Sequence, residues 1–200
     1  AQLRAAGVVA AIGHTDGDFA TTGRAIDAGA TLLTHAYNGM RGLHHREPGP
    51  VGAATGDPRM TLEIIADGVH VHPEVVRMLF AAAPGRVTLV TDAMAAAGAS
   101  DGRYQLGPLA VDVLGGIARL REGGAIAGST LTQDAALRWA VETAGVPLTD
   151  AVTALTSTPA QVIGHGERLG HLRSGYAADA VLLDPELRVT SVWCDGERIA

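Results

Sequence analysis

Four short apolar segments alternate with amphipathic stretches along the first half of the chain. They are "GVVAAIGH" (7–14), "TLLTHAY" (31–37), "LEIIADGVHV" (62–71) and "VTLVTDAM" (87–94). Each is nearly continuous in apolar residues, which is typical of parallel strands buried on both faces. Their alternation with helical patterns predicts parallel βα units, and therefore an α/β fold.

Apolar spacing and capping residues mark the helices. Pro73 opens a helix after the third segment, because proline is favoured in the first turn. A capping-box pattern predicts a second helix that begins near Thr130 and ends at Gly145. Two more helices are predicted, one from about Thr149 and one with Thr158 as its N-cap.

Two regions depart from the βα pattern. Residues 101–122 contain strand and turn residues, which predicts a hairpin excursion. Near the end, "ADAVLLD" and "VTSVWCDGERI" predict two strands with no helix between them. Because such strands do not extend a βα unit, we expect them to form a small separate β layer that needs partner strands.

Composition narrows the class of protein. The chain has 200 residues, 47% of them hydrophobic and 18% charged, which is typical of a globular domain. The net charge of -6 argues against nucleic-acid binding, which usually requires a basic face. No apolar run approaches the roughly 18 residues of a membrane helix, so no membrane partner is expected. The single cysteine excludes an internal disulfide and favours a reducing compartment, and we therefore expect a cytoplasmic protein.

Four residues that can carry chemistry stand at or near the ends of the apolar segments: His14, His35, His70 and Asp92. Each alone has an ordinary interpretation, as a hydrogen-bonded histidine or a helix-capping aspartate. Together they point to a site, because the carboxyl ends of parallel strands meet at the edge where α/β enzymes place their active sites.

The residue types at that edge suit metal-assisted hydrolysis. Neutral imidazoles bind divalent metals, with zinc as the first candidate and iron or manganese as alternatives. A bound metal activates water and polarises a carbonyl, and a nearby carboxylate can transfer the proton. We therefore expect two histidine ligands and an aspartate acid/base.

The loop after His35 carries a candidate anion site. Asn38 and Gly39 follow the histidine closely, and Arg46 lies in "HREPG". Glycine lets backbone N–H groups approach a ligand, and arginine can bind phosphate through two hydrogen bonds. The alternative is an ordinary solvated loop in which Glu47 compensates the charge.

Longer motifs carry a family resemblance. They are "GHTDGDFATTGRAIDAGATLLTHAYNGM", "HREPGPVGAA", "ADGVHVHPE", "LVTDAMAAAG" and "GGAIAGSTLT". In this order they resemble successive blocks of the N-acetylglucosamine-6-phosphate deacetylases of the amidohydrolase superfamily. The resemblance runs from about residue 8 to the C-terminus. "HREPG" and "ADGVHVHP" separate it from a generic amidohydrolase.

The resemblance implies a role for each matching residue. His14 and His35 match the two histidine metal ligands, and Asp92 matches the catalytic acid/base. The residues that match substrate-binding positions are Asn38, Gly39, Arg46, His70, Ile126, Ala127 and Gly128. Gly39 stands where the family usually has alanine, a change that should be tolerated because the backbone makes the contact.

The implied fold is a (β/α)8 barrel with a small β-sandwich built from both chain ends. Residues 1–170 are then a partial barrel and residues 171–200 are sandwich strands. Because a (β/α)8 barrel needs about 250 residues, and the family's carboxylate ligand lies upstream of "GHTD", we read the chain as the C-terminal half of such an enzyme.

The implied activity is metal-dependent deacetylation of an amino-sugar phosphate, N-acetylglucosamine 6-phosphate, by an enzyme that is commonly a homodimer. Two alternatives stay open. One is another amidohydrolase that acts on a cyclic or linear amide. The other is a fragment that is inactive or only binds sugar phosphate.

Overall fold

A computed structural model describes residues 2–200 and contains a parallel four-stranded sheet flanked by helices. The strands lie in chain order, β1-β2-β3-β4, and every neighbouring pair is parallel. The elements of this part are α1 (Gln2–Ala5), β1 (Ala11–Ile12), α2 (Phe19–Asp27), β2 (Leu32–Leu33), α3 (Gly49–Gly56), β3 (Thr61–Ile65), α4 (Pro73–Ala82) and β4 (Val87–Val90). The predicted α/β class is confirmed, and the order is that of consecutive units of a partial (β/α)8 barrel.

The strands are shorter than the apolar segments that predicted them, because the backbone turns where the polar residues begin. His14, His35 and Asp92 all adopt left-handed backbone conformations with positive φ, and a strand cannot continue through such a residue. The third strand ends at Ile65, so His70 lies in the turn that follows it. The prediction that His70 stands near the end of the strand was therefore wrong.

The core lies between the sheet and its helices. Leu33, Leu62 and Leu89 come from three successive strands and are almost completely buried. Leu62 is paired with Leu33 on one side and with Val87 on the other. Packing in the core therefore supports the register of these neighbouring strands. The register in turn sets where the residues after each strand lie along the edge of the sheet.

Three helices follow, α5 (Gln133–Glu142), α6 (Leu148–Thr153) and α7 (Ser157–Val162). The predicted caps were wrong. Thr132, not Thr130, precedes α5, because the Thr130 hydroxyl donates to the Gly116 carbonyl instead. Thr158 lies inside α7, where its hydroxyl donates to the carbonyl of Gly85.

Helices α2 and α3 were not predicted. The Asp18 side chain caps α2 by accepting from the Thr21 N–H at 2.7 Å. Helix α3 has the sequence "GPVGAATG", in which the glycines obscure any helical pattern.

Two antiparallel sheets complete the chain. The predicted excursion is a three-stranded meander with a small core of its own. A second sheet lies near the C-terminus, as predicted, and contains one short extra strand. The bounds are β5 (Gly102–Leu106), β6 (Leu109–Leu114), β7 (Ile117–Leu120), β8 (Ala180–Leu183), β9 (Val189–Cys194) and β10 (Glu197–Arg198). The boundary at residue 170 between a partial barrel and sandwich strands stays a prediction.

No helix within residues 2–200 is long and apolar enough to span a membrane.

Leu62→Ala tests the packing that supports the strand register. We expect the free energy of unfolding in urea to fall by about 2–5 kcal/mol, since the truncation leaves a cavity in the buried core. Leu114→Ala is the matched control, because Leu114 is 81% exposed, and it should change stability by less than about 0.5 kcal/mol. Equal losses in the two variants would contradict this account of the core.

Candidate active site

Three of the predicted site residues occupy equivalent places on the sheet. His14 is the second residue after β1, His35 the second after β2, and Asp92 the second after β4. The parallel register places the carboxyl ends of these strands along one edge. The structure therefore gathers all three at the edge where the sequence predicted a site.

The two histidines converge on one point. Their Nε2 atoms lie 3.0 Å apart, and their rings meet edge to face with centroids 4.7 Å apart. His35 is 6% exposed, and its Nδ1 atom is buried with no hydrogen-bond partner. His14 is exposed. One ring is thus held rigidly inside the fold, and the other closes over it from the surface.

This pair fits two ligands of one divalent metal ion. Imidazole nitrogens bind zinc at about 2.0–2.1 Å, so two nitrogens on one ion lie about 2.9–3.4 Å apart. The observed separation of the Nε2 atoms falls in that range. Across residues 2–200 no third histidine, cysteine or acidic side chain completes a metal cluster. The pair therefore supplies part of a ligand set.

The backbone at the site is strained. The φ angles of His14, His35 and Asp92 are +41°, +27° and +49°, and each such conformation costs on the order of 1–3 kcal/mol in a non-glycine residue. The His35 turn is held by Glu63 of β3. The Glu63 carbonyl accepts from the Ala36 N–H at 2.7 Å, and its carboxylate accepts from the His35 N–H at 3.4 Å.

The predicted sugar loop, residues 126–128, lies beside Asp92. The Ser129 N–H donates to the Asp92 carbonyl at 2.8 Å, and the Ser129 hydroxyl donates to the Thr91 carbonyl. A side chain at Gly128 would lie 3.0 Å from the Asp92 carbonyl oxygen, and Gly128 has a φ of +65°. Glycine is thus required for this close approach.

A cavity of about 290 Å³ opens next to this loop. Ile126 and Gly128 line it, and so does His70, which brings three predicted substrate-binding residues to one cavity. Ala127 does not, because its side chain is 95% buried in the core of the meander. The turn between β6 and β7 also lines the cavity.

The predicted anion loop, Asn38, Gly39 and Arg46, begins directly beside the His35 turn. The Asn38 amide donates to the carbonyls of His35 and Ala36 at 3.4 and 3.2 Å, so Asn38 is hydrogen-bonded to the His35 turn. Gly39 packs against the His14 ring, since a Cβ there would lie 2.9 Å from His14 Nδ1. The alanine that the family usually carries would therefore require this ring to shift.

Arg46 is exposed on the same loop and is not paired with a carboxylate of residues 2–200. Its guanidinium contacts His45 Nε2 at 2.7 Å. Glu47, the expected partner, accepts instead from the Phe19 N–H at the start of α2 and from the Gly49 N–H. Glu47 therefore makes no ion pair with Arg46, although its charge still acts on the neighbouring Arg41 of the same loop.

Glu63 was not recognised in the sequence, although a charged residue inside the apolar segment "LEIIA" was a usable signal. Burial raises the pKa of its carboxyl, and the charge of Asp92 adds to this, while the hydrogen bond and the ring of His35 act in the opposite direction. The pKa of this half-buried carboxyl therefore depends on both His35 and Asp92.

Comparison with known proteins identifies the class to which this fold and site belong. Residues 2–199 match the model of the amidohydrolase family. The chain belongs to the amidohydrolase family.

Several similar proteins are amino-sugar-phosphate deacetylases. The chain is 47% identical to an N-acetylgalactosamine-6-phosphate deacetylase of Escherichia coli O157:H7, over 93% of this chain and 49% of the relative. It is 39% identical to the N-acetylglucosamine-6-phosphate deacetylase of Vibrio furnissii, over 98% of this chain and 49% of the relative.

A solved structure gives the same result. An N-acetyl-D-glucosamine-6-phosphate deacetylase mutant of Mycobacterium smegmatis, in complex with N-acetyl-D-glucosamine-6-phosphate, matches with a TM-score of 0.92 and 47% identity. The match covers 98% of this chain and 52% of that one. The chain spans about half the length of these proteins, and the predicted resemblance is confirmed.

Glu63→Gln tests whether the Glu63 carboxylate lowers the free energy of unfolding. A carboxyl whose pKa is raised on folding binds more protons in the folded state, so stability falls as pH rises through the unfolded and folded pKa values. Removing it should therefore raise the free energy of unfolding at pH 7, with the gain vanishing below about pH 4.3. Urea unfolding at both pH values measures this.

Glu74→Gln is the matched control, since Glu74 is an exposed carboxylate of α4 paired with Arg77. It should give no such gain at pH 7. A Glu63→Gln protein that is less stable than the wild type at pH 7 would contradict the assigned cost.

Proposed function

We propose that the protein is a metal-dependent deacetylase that converts N-acetyl-D-glucosamine 6-phosphate and water into D-glucosamine 6-phosphate and acetate. The observation that carries this proposal is the convergence of His14 and His35 Nε2 at 3.0 Å on the strand edge that also bears Asp92. The similarity to amino-sugar-phosphate deacetylases supports the choice of substrate.

His14 and His35 would hold the divalent ion through their Nε2 atoms, with a further ligand from outside this set. Zinc suits two imidazoles best, with iron or manganese as alternatives. When bound, the ion supplies an activated water and polarises the amide carbonyl. His35 contributes a fixed direction, because its ring is buried and its backbone is held by Glu63.

Asp92 transfers the proton. Its carboxylate takes a proton from the attacking water as the new C–O bond forms at the acetyl carbon. The same carboxyl then gives this proton to the amide nitrogen, so that the C–N bond breaks and the amine leaves. Asp92 is exposed and stands on a turn fixed by the 126–129 loop, which leaves its carboxylate accessible to substrate.

The remaining residues bind the sugar phosphate. Arg46 offers a guanidinium that is not paired with a carboxylate within residues 2–200, and two N–H groups of such a fork can bind one phosphate. The neighbouring Arg41 is already paired with Asp16 at 2.8 Å. The cavity lined by His70, Ile126 and Gly128 would hold the sugar ring, and Asn38 and Gly39 would contact the phosphate.

We propose further that the intact enzyme is a homodimer of the cytoplasm that acts on a small-molecule substrate. The one cysteine, Cys194, is a free thiol, which suits a reducing compartment.

A second candidate substrate is N-acetylgalactosamine 6-phosphate, which differs only in the configuration of one ring hydroxyl. It is favoured by the 47% identity to a deacetylase named for that sugar, against 39% for the Vibrio protein. Both candidates share the phosphate, the acetamide and the chemistry proposed for Asp92.

Acetate release by the zinc-loaded protein separates these possibilities. We expect turnover of a 6-phosphorylated N-acetylhexosamine and little turnover of unphosphorylated N-acetylglucosamine. Arg46→Ala should raise KM about 10–100-fold for the phosphorylated sugar, since a charged hydrogen-bonded group is lost. Arg103→Ala, an exposed arginine of β5, is the matched control.

The assay also separates the proposed activity from its three alternatives. A preference for the galactosamine epimer selects the second candidate, and turnover of cyclic amides that is indifferent to Arg46→Ala supports another amidohydrolase. Sugar-phosphate binding without acetate release supports a fragment that only binds.

Asp92→Asn tests the proton transfer. We expect kcat to fall by about 10²–10⁴-fold, because an amide cannot accept the proton. Zinc content should stay unchanged, since the proposed ligands are His14 and His35, and thermal unfolding should show an intact fold. Retained turnover would contradict the role of Asp92.

A further inference from the structure

The turn that follows β3 contains an aspartate–histidine pair on the wall of the proposed sugar cavity. Asp67 Oδ2 lies 2.7 Å from His70 Nδ1, and the side chains are only 12% and 7% exposed. The other carboxylate oxygen, Oδ1, accepts from the N–H groups of Val69 and His70 at 2.8 and 2.9 Å. Both oxygens of Asp67 are thus engaged within four residues of chain.

These contacts determine which ring nitrogen carries the proton. An ionised carboxylate only accepts hydrogen bonds, so Nδ1 must be the donor. Burial raises the pKa of Asp67, but the hydrogen bonds from the His70 ring and from the two N–H groups outweigh it and hold the pKa below its usual value. Asp67 therefore stays ionised at neutral pH, and the Nδ1–H form of His70 is favoured.

The second ring nitrogen is left for a ligand. His70 Nε2 makes no hydrogen bond to any of residues 2–200 and is not sealed from solvent. His70 and Asp67 both line the 290 Å³ cavity that also contains Ile126 and Gly128. In a neutral imidazole protonated at Nδ1, Nε2 is an acceptor.

We infer that Asp67 is a positioning residue that locks His70 in the Nδ1–H tautomer, so that Nε2 accepts a hydrogen bond from a hydroxyl group of the bound sugar. The assignment of a sugar hydroxyl as the ligand rests on the proposed function, whereas the tautomer of His70 does not. It assigns His70 to the hydroxylated ring and leaves the phosphate to other residues.

Packing behind the turn keeps the pair in place. Gly68 has a φ of +76°, and a Cβ there would lie 2.8 Å from Trp139 Nε1 of α5. Trp139 itself packs against the main core. Because the turn is pressed against a helix, its two N–H groups stay directed at Asp67 Oδ1.

Asp67→Asn should invert the tautomer. The two backbone N–H groups require an oxygen at the Oδ1 position, so the amide NH₂ must occupy the Oδ2 position and face His70 Nδ1. That NH₂ is a donor, which forces Nδ1 to accept and moves the ring proton to Nε2. The site then presents a donor in place of an acceptor, although the side chain has almost the same shape.

Long-range ¹H–¹⁵N spectra of the histidine rings of the ¹⁵N-labelled protein measure this directly. We expect the wild-type His70 signals to show a protonated Nδ1 and an unprotonated Nε2, and Asp67→Asn to show the reverse. Asp112→Asn, an exposed carboxylate paired with Arg121, is the matched control and should leave His70 unchanged. A wild-type ring protonated on both nitrogens at pH 7.5, or only on Nε2, would overturn the inference even if the variant fails to fold.

Two probes test what Nε2 contacts. Unphosphorylated N-acetylglucosamine should shift the wild-type Nε2 signal, and inorganic phosphate should not. A shift with phosphate alone, or with neither probe, would overturn the assignment to a sugar hydroxyl. In activity assays Asp67→Asn should raise KM about tenfold and change kcat little, as expected for lost ground-state binding.

The inference and the proposed function fail separately. An Nδ1–H ring that responds to the sugar in a protein without deacetylase activity would overturn the function alone. Full activity with the opposite tautomer would overturn the inference alone.

Discussion

The approach of two imidazole nitrogens to 3.0 Å is the constraint on which the proposed site depends. It follows from the parallel register of β1 and β2, in which Ile12 is paired with Leu33 and each is followed after one residue by a histidine. A slip of one residue would turn one ring away from the other. Leu33 is buried and Ile12 packs against the same core, so the packing of the core supports the register that brings the two rings together.

The site is costly to the fold that carries it. His14, His35 and Asp92 have left-handed backbones, a buried imidazole nitrogen of His35 lacks a hydrogen-bond partner, and the half-buried carboxyl of Glu63 has a raised pKa. Features of this kind persist only where surrounding structure holds them. Glu63 of β3 holds the His35 turn with both its main chain and its side chain, and Ser129 holds the Asp92 turn. Destabilising features gathered at one edge of the sheet are expected where a protein has a functional site.

The cavity proposed to hold the sugar is assembled from segments far apart in the chain. The turn after β3 supplies His70, the 126–129 loop supplies another wall, and the β6–β7 turn of the meander supplies a third. The Asp92 turn is joined to the 126–129 loop by backbone hydrogen bonds. The meander therefore has a place in the architecture, since it brings a wall to the cavity without interrupting the order of the parallel strands.

The amino-acid sequence by itself determined the α/β class, the four parallel strands, the two histidines, the aspartate and the family resemblance, because apolar periodicity and local motifs are properties of short segments. It did not determine burial, since Val8, Val9 and Ala11 of the first apolar segment are exposed. Only the tertiary structure decided where the strands end, why Thr130 and Thr158 do not cap helices, and that Glu63 contacts the His35 turn while Asp67 and His70 line one cavity. Those outcomes depend on partners more than ten residues away, or on backbone turns that place a local pair against a cavity. A carboxylate in an apolar strand becomes meaningful only when the neighbouring strand brings His35 beside it.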